Sequence, residues 1–297
     1  MKPLAHWLGR VVATLAVLVG GLVAFAAPAS ASTICGNSPV PPGQVITSER
    51  TSNSCGGYLE LTVQAPYNGI NICMDSPIPS NWVVTAEYQT NSCGGHLGGN
   101  ITGSLYNGIN ICMSSPIPPN WVITAEYQTN SCGGYLGGNI TANLYNGINI
   151  CADSTVPPGW VITAEQTTNG CGGHLGENIT SSLYNGINIC MDSPIPSGWV
   201  VTAENQTNSC GGHLGGNIAV PFAGINVCGD SPIPPGYVVT SAQQANGCGG
   251  HLVESITNNL FNGINVCANS TIPAGWWVTS MRTGNGCGGY MIEVLQH

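Results

Sequence analysis

Fourteen cysteines limit what this chain can fold into more tightly than any other feature. They fall at positions 35, 55, 73, 93, 112, 132, 151, 171, 190, 210, 228, 248, 267 and 287. Paired from the first onward, the two members are always 20 residues apart, while the gap between pairs drifts between 18 and 19. A fixed spacing inside a unit and a variable one between units is what a covalent loop inside each unit produces. The pairing expected is Cys35–Cys55, Cys73–Cys93, Cys112–Cys132, Cys151–Cys171, Cys190–Cys210, Cys228–Cys248 and Cys267–Cys287. Zinc held by cysteine is the rival, but the chain has no CxxC pair and no cysteine at ligand spacing from a histidine.

The cysteines mark seven tandem repeats of about 39 residues, phased by the isoleucine that opens each INIC or INVC segment. The boundaries are 32–69, 70–108, 109–147, 148–186, 187–224, 225–263 and 264–297, after a leading segment 1–31. A unit below about 40 residues buries too little apolar surface to stand alone. One bridge closing a loop of this length contributes about 3 kcal/mol on the chain-entropy model. Neighbouring units are expected to share the remaining burial.

Within a repeat, the local signals are those of strands. In repeat 3, INICM leads into Ser115-Pro116-Ile117-Pro118, where two prolines forbid helix and favour an extended connector. Trp121 to Tyr127 is a β-branched and aromatic run, followed by a polar Cys-Gly-Gly loop. The run from Asn100 to Tyr106 ends at Asn107-Gly108, a strong hairpin signal when both central residues take positive φ. That reading pairs the last strand of one repeat with the first of the next. No stretch after residue 31 has helical periodicity with caps. The expected fold is all-β, with three short strands per repeat, stacked as an open, solenoid-like array. A closed seven-bladed, propeller-like ring is the alternative; blades of that kind run 40–45 residues with four strands, one more than is read here.

The leading segment carries Lys2 and Arg10, an apolar run from Val11 to Ala27 and Ala29-Ser30-Ala31. This is the pattern of a secretory signal cut after Ala31; the run is short for a membrane span, which needs about 20 residues. What remains is acidic. Thirteen Asp and Glu face only Arg50 and Arg282, a net −11 with no lysine. Such a chain has little with which to grip phosphate backbones or anionic lipid. The expectation is a secreted, extracellular or cell-wall-associated protein that uses neither nucleic acid nor membrane once the signal is removed. Disulfides fit that oxidising destination.

Three positions recur as candidates for chemistry. Nine residues after the first cysteine stand Gln44, then Trp82, Trp121, Trp160, Trp199, Tyr237 and Trp276. The rings read either as a ladder on which sugars stack or as filler over a small core. Fourteen residues on stand Glu49, Glu87, Glu126, Glu165 and Glu204, then Ala242 and Met281; two residues on stand Asn37, Asp75, Ser114, Asp153, Asp192, Asp230 and Asn269. Calcium is the sharp reading of these acids, but no established loop spacing is present. They are expected to be solvated acids and turn formers, with no metal and no cofactor. Twenty-three residues on, Tyr58, His96, Tyr135, His174, His213, His251 and Tyr290 exchange His for Tyr.

No GxSxG or comparable motif occurs, no cysteine is left unpaired, and every candidate acid recurs along the array. Enzymes usually hold one asymmetric constellation, whereas a recurring site suits avidity. The function expected is therefore a non-enzymatic structural or adhesive module at or near the cell surface. The alternative is a multivalent, lectin-like binder using one aromatic rung per repeat. Cell-surface glycans or other surface proteins are the partners expected.

Overall fold

The computed structural model describes residues 31–297, so all but the last residue of the expected signal lies outside the described residues. From there on the chain forms seven three-stranded antiparallel sheets, one per cysteine pair, none closed into a barrel. Repeat 1 contributes β1 (Ser32–Cys35), β2 (Val45–Thr51) and β3 (Leu59–Gln64); repeat 2 contributes β4 (Ile70–Cys73), β5 (Val83–Tyr88) and β6 (Gly98–Thr102). In every sheet the third strand in sequence lies in the middle. The register of repeat 2 explains why. Ile101 on β6 stands opposite Ile70 on β4 and Val84 on β5, so one apolar row crosses all three strands. The proline-rich connector carries the chain past the gap that β6 later fills.

Seven disulfides close within the repeats, each linking the end of the first strand to the Cys-Gly-Gly loop before the third. Two glycines follow each second cysteine, both at positive φ, for example Gly94 at 57° and Gly95 at 108°. Only glycine takes that pair of conformations without strain.

The hairpin expected across each Asn-Gly does not form. Ile70 N donates to Tyr67 O, but only Gly69 has positive φ, at 80°, and Asn68 does not. That is a type II turn, whose twist splays the flanking strands where a type I′ turn would align them. The turn's bonds run forward instead. Gly69 N donates to Ile101 O at 2.8 Å, and Asn68 Oδ1 accepts from Gly103 N at 2.9 Å. The turn therefore fixes the third strand of the repeat that follows it, and β6 ends at Thr102 rather than running on to Tyr106.

Repeats join through shared cores. A register shift after Val84 places a bulge at Thr85. Before it, Val83 and Val84 point opposite ways. Val84 packs with Ile70, Ile72 and Ile101 of its own sheet. Val83 packs with Ile109, Ile111, Ile123 and Ile140 of the next one, which is capped in turn by Cys151 and Cys171 of the repeat beyond. One core thus draws on three successive repeats. The disulfide serves twice, as a loop closure and as an apolar plug on the preceding sheet.

Two hydrogen bonds recur at each junction. Glu49 N donates to Ser92 O at 2.7 Å. Ile46 N donates to Ser76 Oγ at 2.8 Å, a buried bond from one repeat to the serine before the prolines of the next. Both recur at all six junctions, the last being Ala242 N to Gly286 O and Val239 N to Ser270 Oγ.

The array is open. The second strand of repeat 7 (Trp277–Arg282) is exposed along its whole length, although its counterparts each start with two buried residues. A ring would cover it with the first repeat. Among the described residues no helix is long and apolar enough to cross a membrane.

Candidate functional site

The rings nine residues after each first cysteine are half-buried. Trp82, Trp121, Trp160, Trp199, Tyr237 and Trp276 each pack against the core of their own repeat. Trp82 also lies against Gly103, where an added Cβ would come within 3.0 Å of the indole. Each ring fills space beside its own core and stays partly exposed.

A different aromatic row stands free. Tyr67, Tyr106, Tyr145, Tyr184, Phe222 and Phe261 are 60–64% exposed, one at each junction. They precede the type II turns. Tyr67 and Asn68 share a shallow groove with Trp82, Asn81 and Gly103. Further along, the Pro118-Pro119-Asn120-Trp121 segment and Pro157-Pro158 of the next repeat form the walls of an apolar groove between neighbours. The signal for the exposed row was present in the sequence as the ring before each turn, but it reads as turn chemistry there.

The acids behave differently from the expectation. Glu49, Glu87, Glu126, Glu165 and Glu204 are buried, not solvated. The register shift at Thr85 sets Glu87 opposite Gly99, on the face of Val84 and Ile101, and Glu87 N donates to Ser131 O of the next repeat. Each glutamate thus enters the junction and meets the +2 and +23 side chains of its neighbour. At the junction of repeats 3 and 4, His174 Nδ1 lies 3.7 Å from Asp153 Oδ2 and 3.9 Å from Glu126 Oε2. At the junction of repeats 5 and 6, His251 Nε2 lies 3.7 Å from Asp230 Oδ2, and Glu204 completes the cluster. His96 with Asp75, and His213 with Asp192, stand 3.9 Å apart at two further junctions. Each aspartate and histidine is partly open to solvent.

Burial drives the glutamates' titration upward. It pushes Glu126 and Glu165 to about 8, and Glu49 and Glu204 to about 7, with the facing Asp153, Asp192, Asp75 and Asp230 adding to the shift. Glu177, also buried, is pushed to about 7, again with nearby aspartates contributing. At junction 2–3 the neighbour is a serine, and Ser114 Oγ donates to Glu87 Oε1.

No family model, no curated protein and no solved structure matches this chain.

Proposed function

We propose that the protein is a secreted, non-enzymatic adhesive module that acts at or near the cell surface and binds extended polysaccharide through many weak contacts. One observation carries the reading: an exposed ring recurs at each of six junctions, followed by asparagine at five of them, and at the first it shares a groove with the partly exposed Trp82. Flat rings flanked by amides suit the apolar faces and hydroxyl rims of sugars. Recurrence at a constant pitch suits a repeating polymer, where each engaged site raises the effective concentration for the next. Seven disulfides fit an oxidising exterior, and the scarcity of Lys and Arg directs the chain away from nucleic acid.

The test is a set of pull-downs against insoluble polysaccharides, with tyrosine and tryptophan fluorescence read on soluble oligomers. Replacing Tyr106, Tyr145 and Tyr184 together by alanine should weaken polymer binding at least tenfold while leaving the melting temperature unchanged. Retained binding in that variant, or no response to any glycan in the parent, would refute the reading.

A further inference from the structure

The three junction positions do not vary independently. Taken across the six junctions they read Glu49–Asp75–His96, Glu87–Ser114–Tyr135, Glu126–Asp153–His174, Glu165–Asp192–His213, Glu204–Asp230–His251 and Ala242–Asn269–Tyr290. Aspartate and histidine arrive together and leave together, and where they stand the preceding repeat supplies a glutamate. A proton shared between two carboxyls has no need of the histidine. A His–Asp ion pair has no need of the buried glutamate. A metal ion uses all three.

The geometry agrees. Ligand atoms of Glu126, Asp153 and His174 lie within 4.8 Å of one another, as do those of Glu204, Asp230 and His251. The histidine nitrogens sit 3.7–3.9 Å from the carboxylate oxygens. That is longer than a charge-assisted hydrogen bond of about 2.8 Å. It is close to the edge of a tetrahedron with metal–ligand bonds of about 2.0–2.2 Å, roughly 3.5 Å. The Glu126 side chain is fully buried, and neither of its oxygens has a hydrogen-bond partner; the same lack of partners holds for both oxygens of Glu204. They point into the cluster with no donor to meet them. Two carboxylates and a neutral imidazole carry −2, which a divalent ion balances.

We propose that Glu126, Asp153 and His174, and likewise Glu204, Asp230 and His251, each bind one divalent transition-metal ion of the zinc class. The imidazole disfavours calcium and magnesium, which take all-oxygen ligands. The half-exposed aspartate and histidine leave room for water in the fourth position. The ion clamps one repeat to the next. The trios at junctions 1–2 and 4–5 are wider versions of the same site. Cys73 and Cys190 lie beside them but are in disulfides and offer no thiolate.

The experiment uses the full secreted chain, stripped with a chelator and titrated calorimetrically with zinc chloride, calcium chloride or magnesium chloride at pH 7.5. Binding of two to four zinc ions is expected, with a rise in melting temperature of roughly 10 °C at a hundredfold excess over the dissociation constant. Calcium and magnesium should do neither. The comparison variant is Asp153→Ser, His174→Tyr, Asp230→Ser and His251→Tyr combined. It copies the Ser114 and Tyr135 that the fold already accepts at junction 2–3, so it should fold and melt like the stripped parent. It should lose two equivalents of zinc and most of the zinc-dependent rise. Fewer than two ions in the parent would overturn the proposal. So would undiminished zinc binding in the variant, or an equal response to calcium.

Discussion

Val238 and Trp277 occupy the same position in consecutive repeats, directly before the bulged strand turns into its own core. Val238 is fully buried and Trp277 is 52% exposed. One residue on, Val239 is 1% exposed and Val278 36%. Both repeats have the same strands, the same order and the same bridge. Among the described residues no further repeat packs on repeat 7: its core holds Val238, Ile264, Val266 and Leu295, whereas the preceding core is closed by Cys267 and Cys287 of the repeat beyond it. A repeat's covalent ring is its own, but of the seven buried residues in an interior core one comes from the repeat before and two from the repeat after. Stability here should therefore behave as a sum of unit and nearest-neighbour contributions.

That contrast is broken most forcefully at the bridges. If a disulfide were only a loop closure, removing any of the seven would cost the same, about 2–5 kcal/mol. The packing says otherwise. Cys151 and Cys171 cap the core of repeat 3. Among the described residues no repeat packs ahead of Cys35 and Cys55, and Cys35 is only partly buried. Replacing Cys151 and Cys171 by alanine should loosen repeats 3 and 4 together; replacing Cys35 and Cys55 should loosen repeat 1 alone. Hydrogen exchange resolved by repeat is the measurement, because a single melting curve is a poor reporter on an array. Equal, one-repeat effects from both variants would reduce the bridges to loop closures.

The parts of this fold that follow local rules were readable in advance. Proline pairs, β-branched runs and the constant cysteine interval led to three strands per repeat and an open stack. The misreadings all concern what lies between repeats. Asn107-Gly108 is hairpin chemistry by local rule, yet the type II turn there serves the third strand about 30 residues later. Glu126 is a polar residue late in a strand, which residue type alone puts in water; the register shift at Thr124 sets it opposite Gly138, on the face of the buried Ile123 and Ile140. The junction trio was present letter by letter, but its members come from two repeats and were visible only when read across the boundary. Packing left a similar trace. Met74, Met113 and Met191 each lie over a glycine, at Gly99, Gly138 and Gly216, where a Cβ would come within 2.4–2.6 Å of the sulfur. Where the methionine is Ala152 or Gly229, the facing residue is Glu177 or Glu254.

A finer separation of end from interior uses the serine before the prolines. Ser154 Oγ accepts a buried hydrogen bond from Ile123 N at 3.0 Å. Ser38, its counterpart in repeat 1, is exposed and meets no preceding repeat among the described residues. Ser154→Ala leaves a buried N–H without a partner and should cost about 1–3 kcal/mol. Ser38→Ala should cost almost nothing. Denaturant midpoints of the two variants test this directly, and a comparable loss from Ser38→Ala would mean that repeat 1 is covered by something in solution.

The smallest effect expected distinguishes two interior repeats. Repeat 4 has Glu177 where repeats 2, 3 and 5 have glycine. Burial lifts its carboxyl from the ordinary 4.5 to about 7, and Asp192 and Asp153 add to the shift. The folded chain thus holds this proton more tightly than the unfolded chain does. Below about pH 4.5 both states are protonated and Glu177 is neutral in its effect. As pH rises toward 7 the unfolded state releases the proton first, so stability falls across that window and levels off above it. Glu177→Gln keeps the shape and removes the charge. With a chelator present, it should match the parent at pH 4 and exceed it by about 1 kcal/mol at pH 8. Repeat-resolved hydrogen exchange at the two pH values should place the gain in repeat 4 and at its junctions. A gain at pH 4, or one spread evenly over all seven repeats, would mean that the buried charge is not its source.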